Sequence, residues 1–163
     1  MLTHWQTPDT AVVPIFGDPK WTPENRPRHL DQREPVDEAR KTRIIVVDDE
    51  PVIAETVVEI LNQEGFEATA VTDGASAVEL SKTLNPDVVL SDVIMPGLNG
   101  IETGIKIREI VPKCKIILFS GQAATVDLLE KARMQGLRFE ILAKPISPEK
   151  LIAVIRASSS QIS

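Results

Sequence analysis

Leu90-Ser91-Asp92-Val93-Ile94-Met95-Pro96-Gly97-Leu98-Asn99-Gly100 is the stretch whose reading decides the fold. Val88, Val89 and Leu90 form a short apolar run, too brief for a buried helix, so a core strand is predicted over 87–91 with Asp92 at its end. Pro96, Gly97 and Gly100 then break regular structure and open a loop. A carboxylate at the C-terminal edge of a parallel strand faces the crevice in which open α/β sheets bind ligands. A strand-end Asp also serves as a simple turn cap, and turn preferences alone do not separate the two roles.

The flanking sequence repeats one unit. Residues 43–47 (Arg-Ile-Ile-Val-Val) read as a buried strand closed by Asp48, Asp49 and Glu50. Pro51 suits the first turn of a helix whose apolar face is Ile53, Val57, Ile60 and Leu61, with Glu64 beside it and Gly65 as its stop. A strand over 66–71, a helix from Asp73-Gly74 to Asn85-Pro86, the strand at 87–91 and a helix over 101–111 follow. Strands are predicted at 115–119 and 139–142, and helices at 123–135 and 148–157, the last with Leu151, Ile152 and Ile155 inward. Five strand-helix units with short connections require a parallel sheet, and right-handed crossovers make it doubly wound. Asp48, Asp49, Asp92, Ser120 and Lys144 then share the C-terminal rim of that sheet.

Residues 1–42 are different in kind. Six of the twelve prolines and both tryptophans, Trp5 and Trp21, fall there among mixed charges, without helical or alternating periodicity. Such a segment cannot build a core and reads as an extended, disordered tail, either an inert leader or a docking segment that uses Trp5 or Trp21. Residues 158–163 read as a flexible C-terminus. The net charge of −6 argues against nucleic acid as a direct partner. There is no apolar run long enough for a membrane span and no signal peptide, so the expected location is cytoplasmic. Cys114 has no His at ligand spacing and is assigned to packing.

Three carboxylates on one rim repel one another unless a cation joins them, and a hard divalent ion such as Mg²⁺, held by oxygens, suits the set. No His, Cys or Lys nucleophile ends a strand with a base beside it, which leaves a carboxylate as a covalent acceptor. Ser120 can donate to a phosphoryl oxygen and Lys144 can balance its charge, a combination that suits phosphoryl transfer. The alternative of a dinucleotide-binding enzyme requires Gly-x-Gly-x-x-Gly after the first strand, where the chain reads Asp-Asp-Glu-Pro.

Val47-Asp48-Asp49-Glu50, Ser91-Asp92-Val-Ile-Met95-Pro96-Gly97-Leu-Asn-Gly100, Leu-Phe-Ser120-Gly and Ala-Lys144-Pro145 occur in that order, and together they resemble the receiver domain of two-component response regulators over residues 43–157. The resemblance implies a flavodoxin-like sheet of order 2-1-3-4-5 with five helices. It implies Asp92 as the phosphoacceptor, Asp48 and Asp49 as the acidic pair for Mg²⁺, the Ile94 backbone carbonyl as a further metal ligand, Ser120 as the switch hydroxyl and Lys144 as the phosphoryl-contacting lysine, with a cis Lys144-Pro145 bond. It further implies a signalling protein rather than an enzyme, self-phosphorylating from a phosphodonor and with weak autodephosphorylation at most. The implied partners are a histidine kinase or histidine phosphotransfer protein and an unidentified downstream protein. Ile141 departs from the pattern, because the family commonly carries Tyr, Phe or His there. Only residues 158–163 follow the matched part, so a stand-alone receiver is expected. A pseudo-receiver, a binding module that is never phosphorylated, is the alternative; its signature is loss of an acidic residue or the lysine, and all are present.

Overall fold

The computed structural model describes residues 40–121 and 125–160, so the readings of Trp5 and Trp21 lie outside the described residues. The elements alternate strictly: β1 (Arg43–Val47), α1 (Pro51–Gln63), β2 (Glu67–Val71), α2 (Gly74–Leu84), β3 (Val88–Asp92), α3 (Gly100–Ile110), β4 (Lys115–Ser120), α4 (Thr125–Met134), β5 (Glu140–Ala143) and α5 (Pro148–Ser159). All neighbouring strands are parallel, in the order β2-β1-β3-β4-β5. This is the flavodoxin-like sheet.

Alternation along each strand feeds two cores. Ile44 and Val46 point to the side of Ala54, Leu61, Leu151 and Ile155 on α1 and α5. Ile45 and Val47 point to the side of Ala77, Ile101, Ile107 and Ala132 on α2, α3 and α4. Both faces of β1, β3 and β4 are therefore covered, which is why these strands read as continuous apolar runs. Full burial of each large aliphatic side chain contributes about 1.5–3 kcal/mol.

Helix ends match their sequence signals. Asp73 accepts from the Ser76 N–H at 2.8 Å and its hydroxyl at 2.7 Å, and Ser76 holds the Asp73 carboxyl below the ordinary carboxylate value. Asn85 closes α2 in the left-handed region, at φ 55°. Asn99 and Glu102 form a reciprocal capping box at the start of α3.

Several boundaries differ from the sequence reading. Thr42 O accepts from Glu67 N at 2.9 Å and Arg40 pairs with Asp87 at 3.1 Å, so residues 40–42, assigned to the tail, belong to the folded unit. Ser158 and Ser159, assigned to a flexible end, continue α5, where their hydroxyls donate to the Val154 and Ile155 carbonyls and Ser158 is buried. On α1 the buried positions are Ala54 and Leu61, while Ile53 stays exposed. β5 begins one residue later than predicted, because Phe139 lies against α3 under the Arg108 guanidinium, 4.9 Å from its ring centre. Cys114 is buried and its thiol is pushed up to about 12 by burial, then by Asp87, so it remains a protonated packing group.

Candidate functional site

The parallel sheet brings the rim residues together because adjacent strands end in register. Val47 pairs with Ser91 and Asp92 with Phe119, so Asp48 and Asp49 leave β1 beside Asp92 at the end of β3. Ser120 pairs with Ala143, and its carbonyl accepts from Lys144 N at 2.9 Å. That bond delivers Lys144 to the same rim, with the Lys144-Pro145 peptide cis.

Asp48, Asp49 and Asp92 each place a carboxylate oxygen within 4.8 Å of the others. Their roles are not equal. Asp48 is 2% exposed, with Oδ1 accepting from the Glu50 N–H at 3.0 Å and Oδ2 from Lys144 Nζ at 3.2 Å. Asp92 accepts from the Ile94 N–H at 3.3 Å and, through its other oxygen, from Lys144 Nζ at 3.0 Å. Asp49 is exposed. Burial pushes the Lys144 ammonium down, but the hydrogen bond and charge of Asp92, then those of Asp48, outweigh it and leave its pKa above the ordinary lysine value. The bridging lysine therefore stays charged at neutral pH, against three carboxylates.

This donor set fits a hard divalent cation: oxygen ligands only, two of them already oriented by backbone N–H groups, and an excess of negative charge that one lysine leaves uncompensated. Beside it a cleft of about 400 Å³ is lined by Ile53, Val57, Phe119, Pro145 and Ile146 together with Asp48 and Lys144. A larger concavity, about 920 Å³, lies between α4 and β5 and touches none of the carboxylates. Phe139 and Ile141 both border that groove, Ile141 half exposed.

Asp48, Asp49, Asp92, Ser120 and Lys144 all lie at or just beyond the C-terminal ends of their strands, and Ile94, two residues after Asp92, is 40% exposed. The sequence does not distinguish the inner from the outer member of the acidic pair. It also does not reveal the close approach of Gly100 to Asp92: a Cβ there would fall on the Asp92 carbonyl oxygen.

The chain matches the model of the response regulator receiver domain over residues 44–156. It is 32% identical over 117 residues to the DNA-binding response regulator MtrA of Mycolicibacterium smegmatis, covering 72% of this chain and 50% of that protein. The chain thus spans about half the length of the curated relatives it matches. Among solved structures it resembles a response regulator receiver domain protein from Clostridium thermocellum, with TM-score 0.66, 27% identity and coverage of 74% of this chain and 95% of that one. A response regulator receiver protein from Sinorhizobium medicae gives TM-score 0.66 and 28% identity, covering 76% of this chain and 98% of that one.

Proposed function

Because the chain belongs to the response regulator receiver family, we propose that it accepts a phosphoryl group on Asp92 from a phosphohistidine of a histidine kinase or phosphotransfer protein, and signals by changing its protein partners. The observation that carries this reading is the meeting of Asp48, Asp49 and Asp92 within 4.8 Å with Lys144 bridging two of them. In the reaction the donor's P–N bond breaks, an Asp92 carboxylate oxygen forms the new P–O bond, and the released imidazole nitrogen takes a proton. Asp48, Asp49 and Asp92, with the Ile94 backbone carbonyl, would hold Mg²⁺, which when bound neutralises phosphoryl oxygens and orients them. Lys144 balances charge on the incoming group, and Ser120 donates its hydroxyl to a phosphoryl oxygen. The chain is an acceptor that phosphorylates itself from a donor and dephosphorylates weakly, not an enzyme that turns over substrate.

The test is incubation of the full chain with acetyl phosphate and Mg²⁺. One acid-stable, hydroxylamine-labile phosphoryl group on the peptide containing Asp92 is expected. An unlabelled chain would instead support a module that binds partners without phosphorylation.

Two further outcomes follow from the rim. Asp49→Ala removes an exposed carboxylate, so Mg²⁺ affinity and the phosphorylation rate are expected to fall about tenfold or more, measured by calorimetry and label uptake. Relief of carboxylate repulsion should leave the metal-free variant at least as heat-stable as the parent; a clear loss of Tm would make Asp49 a structural cap. Ile94, apolar and two residues beyond Asp92, occludes the water that attacks the acyl phosphate but cannot polarise it. Ile94→Asn is expected to speed decay of the phosphorylated chain several-fold after donor removal, and an unchanged or slower decay would show that Ile94 does not guard the water path.

A further inference from the structure

Gly100, the first residue of α3, is buried against the backbone of Asp92 itself. Its N–H donates to the Val93 carbonyl at 2.9 Å, while the Val93 N–H donates to Phe119 O on β4 at 3.1 Å. Val93, the residue that follows Asp92, is thus held through both its N–H and its carbonyl. A Cβ at Gly100 would fall on the Asp92 carbonyl oxygen and lie 3.0 Å from Asp92 C and from Val93 Cα. These are backbone atoms at the end of a central strand whose other four residues are buried, so they cannot swing aside as a side chain does.

The constraint is one of space. Among the described residues the glycines with positive φ are Gly65, Gly97 and Gly136, so at Gly100 the backbone conformation suits alanine, which helix propensity also favours. The start of α3 is itself rigidly placed. Asn99 and Glu102 close the capping box, and the buried Thr103 hydroxyl donates to Asn99 O at 2.8 Å.

We propose that Gly100 is a positioning residue for the phosphoacceptor. Its missing side chain lets α3 seat on the Asp92-Val93 peptide, and that seat fixes where the Asp92 carboxylate stands relative to Asp48, Asp49 and Lys144. The inference rests on the reading of Asp92 as phosphoacceptor. A displacement of about 1 Å at a reacting group costs up to roughly a hundredfold in rate, so a contact this close has chemical consequences.

Gly104 supplies the control, one turn further along the same helix. A Cβ there meets Ile116 Cγ2 at 2.9 Å and Phe139 Cε1 at 3.2 Å, side-chain atoms away from the carboxylates. The experiment compares the full-length parent, Gly100→Ala and Gly104→Ala for Tm, for Mg²⁺ affinity by calorimetry without phosphodonor, and for the rate of phosphorylation by acetyl phosphate. Both variants are expected to lose Tm. Only Gly100→Ala is expected to weaken Mg²⁺ binding and to slow phosphorylation, each by about tenfold or more.

A folded Gly100→Ala whose affinity and rate match those of Gly104→Ala overturns the proposal. An unlabelled parent would overturn the reading of Asp92, while the Mg²⁺ comparison would still decide whether Gly100 positions its carboxylate. Where Gly100→Ala yields no folded protein, Asn99→Ala decides, since it opens the capping box at the same helix end. Several-fold weaker Mg²⁺ binding supports the proposal, and parental affinity despite a lowered Tm overturns it.

Discussion

Replacing Asp92 by asparagine is expected to reduce phosphoryl uptake from acetyl phosphate and Mg²⁺ to background, a loss of at least about a hundredfold, or about 2.7 kcal/mol in barrier. Asparagine has nearly the same shape and its carbonyl oxygen can still accept from the Ile94 N–H, so the end of β3 should survive and the circular dichroism of the variant should match the parent. What disappears is the carboxylate oxygen that forms the acyl phosphate. The neighbouring carboxylates are poor replacements for different reasons. Asp48 is 2% exposed and has one oxygen committed to the Glu50 N–H and the other to Lys144. Asp49 is exposed and lies outside the Lys144 bridge, which joins Asp48 and Asp92. Label retained at parental stoichiometry would move the acceptor away from Asp92 and end the proposed mechanism.

The fold was legible because buried parallel strands and amphipathic helices leave different patterns. Val88-Val89-Leu90 and Ile44-Ile45-Val46-Val47 are apolar on both faces, and each sits between two helical layers. Boundaries were less legible where a tertiary contact sets them. Phe139 has strand propensity, yet Arg108 and α3 hold it outside β5. Ser158 and Ser159 read as a polar end, yet bonds to carbonyls four residues back keep them helical.

The rim residues were legible as a set, because the order of strands dictates that their C-terminal ends converge. Their division of labour was not. Asp48 and Asp49 are identical in chemistry and adjacent in sequence; only the direction in which the chain turns after Val47 buries one and exposes the other. Gly100 was legible merely as part of the loop that follows the strand, since no local pattern reports that an Asp92 carbonyl occupies the space its side chain would take.

Lys144 is expected to show the opposite coupling between metal and phosphoryl group. Its ammonium stands 3.0 Å from Asp92 Oδ2 and 3.2 Å from Asp48 Oδ2, with the side chain 29% exposed. Lys144→Met keeps an unbranched stem and deletes the charge. A charge-assisted hydrogen bond of this kind is worth roughly 1.5–3 kcal/mol, so the phosphorylation rate should fall about ten- to a hundredfold. Mg²⁺ affinity should rise in the same variant, because a competing positive charge has left the carboxylates. A variant that was merely misfolded would lose both. The pH dependence adds a sign. The pKa of Lys144 stands above the ordinary value of 10.5, since its carboxylate partners outweigh burial, so its stabilising contribution is complete below about pH 10.5 and is lost as pH rises through the higher folded value. Thermal unfolding followed from neutral to alkaline pH should therefore find the metal-free variant less stable than the parent at neutral pH, with the gap closing above about pH 10.5. A phosphorylation rate equal to the parent's, or a fall in Mg²⁺ affinity alongside the rate, would remove Lys144 from the phosphoryl site and leave it as a structural counter-ion to Asp48.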